Sequence, residues 1–402
     1  MASPIKSLSA KKFLPMLGKR QSRFAEGSPE VPQGIDSARA IALALHPVRQ
    51  YLKVAEVIER ASDCKSFRLV PDTEKGTESL AYFGAGKYLT VFETIGGIPL
   101  TRAYSISSSP KNSLEGFYEL TIKRVDGGLM SNYILSNWQV GSSVEVSAPS
   151  GNFEYQPLRD AGTVICLAGG SGITPFVSMA NAVSDGDEDF NLVLLYGSRN
   201  PDNILFREEL DALEKKCDKI KIVHVLSDTP DEDMPAGAEK GFITADLIKK
   251  YAPADGNYSV FICGPQQMYD FLEKETAKLG IERKFIRREM FGEVHNPASL
   301  PGYPSDVPEE VSITVTIQDE TKTVKGKSYD SVMQILEKNG IAVPARCRSG
   351  ECGFCHSHLL SGEVYVPESL DYRRLADRQF GCIHPCCTFP LTNLEINVPA
   401  AR

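Results

Sequence analysis

Six of the ten cysteines crowd into the C-terminal end of the 402-residue chain: Cys347, Cys352, Cys355, Cys382, Cys386 and Cys387. The others, Cys64, Cys166, Cys217 and Cys263, are scattered. A secreted disulfide scaffold distributes its cysteines through a small, loop-rich chain. Crowding at one end of a large chain points instead to thiolates converging on metal in a reducing compartment. The first thirty residues carry no apolar stretch of the secretory kind, so a cytoplasmic location is expected.

The segment Arg346–His358 reads RCRSGECGFCHSH and contains Cys347-x4-Cys352-x2-Cys355. With a distant fourth cysteine, this is the ligand spacing of a plant-type [2Fe-2S] cluster. Three thiolates must converge from one wrapped loop. Gly350 and Gly353 let that loop turn tightly and aim N–H groups at sulfur. Three residues could supply the fourth thiolate: Cys382, Cys386 and Cys387. Zinc is the competing reading. It favours Cys-x2-Cys knuckles and histidine, and His356, His358 and His384 are nearby, although the spacing favours the cluster and the histidines read as ordinary loop residues. The segment resembles plant-type ferredoxins. There the fourth cysteine is followed three residues later by an aromatic, then proline and a short terminal strand. The run from Cys386 through Phe389-Pro390 to Ile396 is similar, with 30 residues between Cys355 and Cys386. The resemblance implies Cys386 as the fourth ligand, leaving Cys382 and Cys387 as buried or spare thiols.

Upstream, the texture changes twice. Residues 1–50 read as an extension. Lys11, Lys12, Lys19, Arg20 and Arg23 suit a solvated tail, with a targeting or docking arm as the alternative, and Ser37–His46 suits a short helix stopped by Pro47. From Tyr51, short β-like runs alternate with turns such as Gly96-Gly97 and Asp126-Gly127-Gly128, which predicts an antiparallel barrel or sandwich over 51–157. From Ala161, apolar runs (Thr163–Ala168, Asn191–Tyr196, Lys221–Leu226, Tyr258–Cys263) alternate with helical stretches. That predicts a doubly wound parallel α/β domain over 158–292. A proline-rich linker, 293–310, leads to a third domain, 311–402, with a strand at Val311–Gln318 and a helix over Ser328–Asn339 capped by Ser328. The expectation is a multidomain chain, and the ferredoxin resemblance implies an α+β β-grasp fold for its last part. The net charge of −8 argues against nucleic acid as a partner, and no apolar run is long enough for a membrane span.

Three further motifs occur in a telling order. Arg102–Pro110 reads RAYSISSSP; Arg and Tyr two apart share one face of a strand. Leu167–Phe176 reads LAGGSGITPF after an apolar strand, where loop amides and a helix N-terminus suit a pyrophosphate, though it is not the Rossmann fingerprint. Ile262–Met268 reads ICGPQQM. Together these resemble the ferredoxin–NADP reductase superfamily. The resemblance implies Arg102 on a flavin phosphate, Tyr104 against the flavin ring and Ser105 near its reactive edge. Gly128 and Ser131 would hold the pyrophosphate of FAD, with FMN as the alternative flavin. Gly169, Gly170, Gly172, Thr174 and Pro175 would hold the nicotinamide nucleotide. Cys263 and Gly264 would lie beside the hydride-donating carbon, and Ser198 and Arg199 by the adenosine ribose. Arg199 has no second basic residue close behind it, which favours NADH over NADPH. Glu289 and Phe291 match the family's flavin-edge acidic–aromatic pair weakly; a terminal strand packing Phe291 into the core is the other reading. No Ser-His-Asp triad or carboxylate pair is needed, because the cofactors carry the chemistry. The resemblance covers about residues 51–402. It implies a relay from NAD(P)H through flavin and cluster to a partner such as an oxygenase or demethylase. A redox-sensing regulatory protein docking an effector through its N-terminal segment is the second expectation.

Overall fold

The structure, a computed structural model, describes residues 18–20, 22–23, 37–290, 294 and 296–400. The expectations for Lys11 and Lys12 lie outside the described residues. Ser37–Leu45 is a helix. The segment from Leu45 onward is a separate unit carrying three large sheets and one two-stranded pair.

The first sheet contains β1 (Gln50–Ala61), β2 (Cys64–Pro71), β3 (Tyr88–Ile95), β4 (Ile98–Ser105), β5 (Tyr118–Lys123) and β6 (Ser143–Val146), in the order β4-β3-β6-β1-β2-β5. All neighbours are antiparallel. A bridge from Ile106 to Leu120 joins the two edges, and Ser107 N donates to Glu119 O at 2.8 Å. The sheet thereby curls into a barrel. Alternation explains the filling: Leu52, Phe67, Leu89, Val91, Leu120, Val144 and Val146 point inward, as a period of two demands. The helix Leu129–Asn137 adds Met130 and Ile134 to the same core.

The second sheet is parallel, in the order β10-β9-β8-β7-β11-β12. Its strands are β7 (Thr163–Gly169), β8 (Asn191–Ser198), β9 (Ile220–Leu226), β10 (Glu239–Lys240), β11 (Ser259–Cys263) and β12 (Ile286–Glu289). Val164 and Cys166 of β7 face one core, Ile165 and Leu167 the other. This two-sided burial is why β7 is apolar without alternation. Strand order reverses between β7 and β11. The loops leaving those strands flank the switch point, where ligands bind in sheets of this kind.

The third sheet is mixed, in the order β14-β13-β19-β15-β17, from β13 (Glu310–Ile317), β14 (Glu320–Lys327), β15 (Ser357–Ser361), β17 (Cys382–Ile383) and β19 (Leu394–Val398). A small pair, β16 (Val364–Tyr365) and β18 (Phe389–Pro390), lies apart. The helix Val332–Lys338 packs on this sheet through Val332, Ile335 and Leu336. The helix starts later than expected. Ser331, not Ser328, is its cap: Ser331 Oγ accepts from Gln334 N at 3.2 Å, and Gln334 Oε1 accepts from Ser331 N at 2.8 Å. The Ser328 amide is already engaged by Glu309 O at 3.1 Å, so that residue still belongs to the end of the strand pair. Among the described residues no helix is long and apolar enough to cross a membrane.

Candidate redox site

The cysteine loop is shaped by residues of positive φ: Arg348 (59°), Gly350 (84°) and Gly353 (66°). Backbone amides turn toward sulfur. Ser349 N and Cys352 N donate to Cys347 Sγ at 3.5 and 3.3 Å, and Phe354 N donates to Cys352 Sγ at 3.5 Å. Cys355 Sγ and Cys386 Sγ are 3.5 Å apart. The other two candidates are turned elsewhere. The Cys387 thiol donates to His384 O at 3.5 Å and Leu370 O at 3.7 Å, and Cys382 Sγ lies beside His358 and Phe380 O. Gly350 is pressed onto Cys387: a Cβ there would sit 2.7 Å from Cys387 Sγ and 2.6 Å from Leu370 O. Hydrogen bonding from Cys347 pulls the Cys352 thiol down to about 7. Hydrogen bonds from Cys355 and Cys387, with the Arg348 charge, pull Cys386 well below the usual thiol range. In each pair one thiol, Cys352 or Cys386, is made more acidic while its partner is pushed up; gathered thiols with amides aimed at sulfur are the donor set an anionic cluster requires. The residues present fit a [2Fe-2S] centre.

His356 and His384 lie in loops, and His358 alone of the three lies in a strand. His358 lies in β15 opposite Cys382 of β17. His384 is buried with Nδ1 2.7 Å from Gly350 O, and His356 Nε2 is 3.3 Å from Asp377 Oδ1. Strand pairing sets His358 beside Cys382, which residue spacing did not reveal.

Arg102, Tyr104 and Ser105 occupy the end of β4. Arg102 Nη1 donates to Thr101 O at 2.7 Å and lies 3.8 Å from Glu337 Oε2 in the helix Val332–Lys338. Glu337 is buried and receives a two-pronged contact from Arg348 at 2.6 and 2.8 Å. Burial pushes the half-buried Tyr104 phenol up. Ser105 is buried, and its hydroxyl donates to Glu289 Oε2 at 3.5 Å. Burial, reinforced by the charge of Glu351, pushes the Glu289 carboxyl well above the usual range. Tyr88 pairs with Ser105 across the sheet and lies against Gly151. Its phenol is pushed up by burial and then by Cys347 and Cys352. Gly128 precedes the helix Leu129–Asn137, and the buried Ser131 Oγ accepts from Val125 N at 3.1 Å.

Gly169 ends β7, and Gly170–Ile173 form one tight helical turn before the helix Thr174–Asp185, whose first turn holds the buried Thr174 and Pro175. Gly172 is forced by close approach. A Cβ there would sit 2.2 Å from Cys263 O. The loops after β7 and β11 therefore meet backbone to backbone. Cys263 is buried, and burial holds its thiol protonated. Gly264 N donates to Tyr269 Oη at 3.2 Å, and Tyr269 Oη donates to Glu289 O. At the end of β8, Ser198 Oγ and Asn200 Oδ1 are buried atoms with no hydrogen-bond partner among the described residues, as a pair awaiting a polar ligand would be. Arg199 is exposed. Phe291 lies outside the described residues. A cleft of about 1180 Å³ opens between residues including Phe153, Arg288, Glu351 and Tyr372, and none of Arg102, Tyr104 and Ser105 lines it. Tyr88, Tyr269 and the Arg348–Glu337 pair went unnoticed in the sequence. Alternation along β3, with Leu89 and Val91 inside the barrel, puts Tyr88 on the opposite face and gave no signal of its burial.

Three family models match in order: an oxidoreductase FAD-binding domain over 51–155, an oxidoreductase NAD-binding domain over 166–274 and a 2Fe-2S iron-sulfur cluster binding domain over 315–391. The chain is 30% identical over 353 residues to the ferredoxin reductase component of a 3-ketosteroid-9-alpha-monooxygenase from Mycolicibacterium smegmatis, covering 85% of this chain and 94% of that one. It is 26% identical over 360 residues to the reductase subunit of a glycine betaine monooxygenase from Chromohalobacter salexigens, covering 87% and 95%. The solved structure of phthalate dioxygenase reductase matches with a TM-score of 0.61 at 24% identity, over 88% of this chain and 98% of that one, and so shares the fold. The barrel, the parallel sheet and the C-terminal cluster domain thus correspond to the three expected modules, and the chain belongs to the ferredoxin–NADP reductase superfamily as a flavoprotein oxidoreductase with a C-terminal [2Fe-2S] domain.

Proposed function

We propose that this chain is the NADH-oxidising reductase component of a system whose terminal enzyme, an oxygenase or demethylase, is a separate protein. FAD, when bound, takes a hydride from the nucleotide, and the cluster passes electrons on singly. One observation carries the reading: an unbroken line of contacts from the nucleotide loop to the cluster loop. Cys263 pairs with Glu289 across β11 and β12, Glu289 meets Ser105, and Ser105 pairs with Tyr88. Two positions along β3, Thr90 Oγ1 reaches Arg346 O at 3.4 Å, next to Cys347.

On this reading Arg102, Gly128 and Ser131 hold the flavin's phosphates and Tyr104 covers its ring. The Ser105 hydroxyl faces the hydride-accepting edge, with the protonated Glu289 carboxyl keeping that edge free of fixed negative charge. Gly169, Gly170, Gly172, Thr174 and Pro175, with Cys263 and Gly264, orient the nicotinamide. Ser198 binds the ribose, and Arg199 is a solvated neighbour, which leaves the site selective for NADH. Cys347, Cys352, Cys355 and Cys386 hold the cluster. The relatives named as monooxygenase reductase components support the nature of the acceptor. Thiolate ligation of this kind suits the reducing cytoplasm.

The test is anaerobic titration of purified protein with NADH and with NADPH, followed by absorbance, with the extracted flavin identified. NADH is expected to bleach both flavin and iron–sulfur absorption at far lower concentration than NADPH, and the extracted flavin to be FAD. Flavin-replete protein that reduces neither ferricyanide nor cytochrome c with NADH would overturn the reading.

A further inference from the structure

Next to the cluster cysteines, a second group of metal-binding atoms gathers where the end of the cysteine loop meets β17. His356, Asp377 and Cys382 each place one donor atom within 4.8 Å of the other two. Three separate pieces of backbone bring them together. Cys382 lies in β17, directly opposite His358 of β15, so both side chains leave the same face of the sheet. His356 precedes His358 by two positions. Asp377 comes from the short helix Leu375–Gln379, and a turn at Gly381, φ 70°, returns the chain to β17.

Two of the separations, one in each half of the group, approach those of ligands gathered around one ion. Tetrahedral zinc, with bonds of about 2.3 Å to sulfur and 2.0–2.1 Å to nitrogen or oxygen, sets its ligand atoms roughly 3.3–3.6 Å apart. His356 Nε2 and Asp377 Oδ1 are 3.3 Å apart, and Cys382 Sγ is 3.8 Å from His358 Nδ1. The His356 and His358 rings stand at 85° with centroids 5.8 Å apart, so both can turn one edge toward a common point. Asp377 is held by Arg374: N and Nε donate to Oδ2 at 3.0 and 3.1 Å and Nη2 donates to Oδ1 at 3.2 Å, which orients the carboxylate and leaves Oδ1 a second lone pair toward His356. Outer partners of this type orient metal-binding carboxylates. Cys382 and Asp377 are buried, whereas His356 is partly exposed and His358 exposed, which leaves an entry path. His384 stands aside, since its Nδ1 is taken by Gly350 O.

We propose that His356, Asp377 and Cys382, with His358 closing the open side, form a zinc site separate from the cluster cysteines. A mixed sulfur, nitrogen and oxygen set of four suits zinc and fits neither magnesium nor calcium. On binding, the Cys382 S–H bond breaks, an S–Zn bond forms and the proton passes to solvent. The histidines and Asp377 contribute lone pairs, and no electron is transferred.

The test uses holoprotein in metal-free buffer, titrated with zinc chloride, with zinc, iron and labile sulfide counted after dialysis. One zinc per chain is expected with iron and sulfide unchanged, and zinc-edge X-ray absorption should show a single sulfur neighbour. Cys382→Ser and His356→Gln should each weaken zinc binding more than about 100-fold, beyond the loss of a mere outer partner, while keeping the iron. Should Cys382→Ser fail to fold, His356→Gln alone decides. No zinc uptake overturns the proposal, as does equal uptake by a folded variant or uptake matched by loss of iron.

Discussion

Burial pushes the Glu289 carboxyl well above the usual carboxylate range, because a carboxylate there loses its solvation. The folded-state value lies above the unfolded one. The associated stability is therefore complete below the usual carboxylate pKa and is lost as pH rises through the folded value. Glu289→Gln is neutral throughout and should flatten the fall of the thermal midpoint with rising pH; an unchanged slope in the variant would count against the assignment. The neighbouring Ser105 makes a separate prediction. Ser105→Ala should slow flavin reduction by NADH by about 100-fold, the usual cost of losing one positioned donor, while flavin and cluster absorbance stay intact; stopped-flow mixing reads both. The adjacent pair Cys386 and Cys387 gives a third. Cys386→Ser should lose the cluster's iron, whereas Cys387→Ser should retain it, because only Cys386 faces Cys355. Iron and sulfide assay separates the two outcomes.

Elements repeat the lesson at larger size. The loops after β7 and β11 touch through Gly172, so Gly172→Ala must push Cys263 away. The expected result is a raised KM for NADH and a destabilisation of about 1–3 kcal/mol, typical of overpacking, read by steady-state kinetics and thermal melting. This contact was half legible beforehand. Thr163–Ala168 announces a strand buried on two faces, and the glycines after it announce a turn, but their meeting with Cys263 depends on strand order, which no local pattern encodes. The helix over 332–338 was legible in kind and misplaced at its start, since Ser328 and Ser331 offer the same capping chemistry and only the engaged Ser328 amide distinguishes them. The zinc-site residues were visible as letters, yet their convergence required pairing β15 with β17. Cysteine spacing was the most readable signal because one loop supplies three ligands.

Across the molecule, the barrel and the cluster domain share buried charge. Arg348 and Glu337 pair with side chains 2% and 6% exposed, and Arg348 Nη1 also reaches Thr101 Oγ1 of β4 at 3.2 Å. Removing one partner strands the other in low dielectric, at about 3–5 kcal/mol. Glu337→Gln should therefore loosen the two modules, so that anaerobic stopped-flow shows slower cluster reduction with an unchanged rate of hydride transfer to flavin. Equal slowing of both steps would refute this coupling. The nucleotide domain is tied to the barrel in a similar way by Arg287, which pairs with Asp160 and donates to Asn152 O and Glu154 O at 3.1 and 2.7 Å.

The third sheet ends at β14, whose backbone has a neighbour on one side only. A bare rim of this sort invites lateral growth by strand addition. Here it is studded with Lys322, Lys325 and Lys327, which set like charges against any second copy. Growth along that flank would stack lysine on lysine, so copies of the chain are kept from polymerising edge to edge.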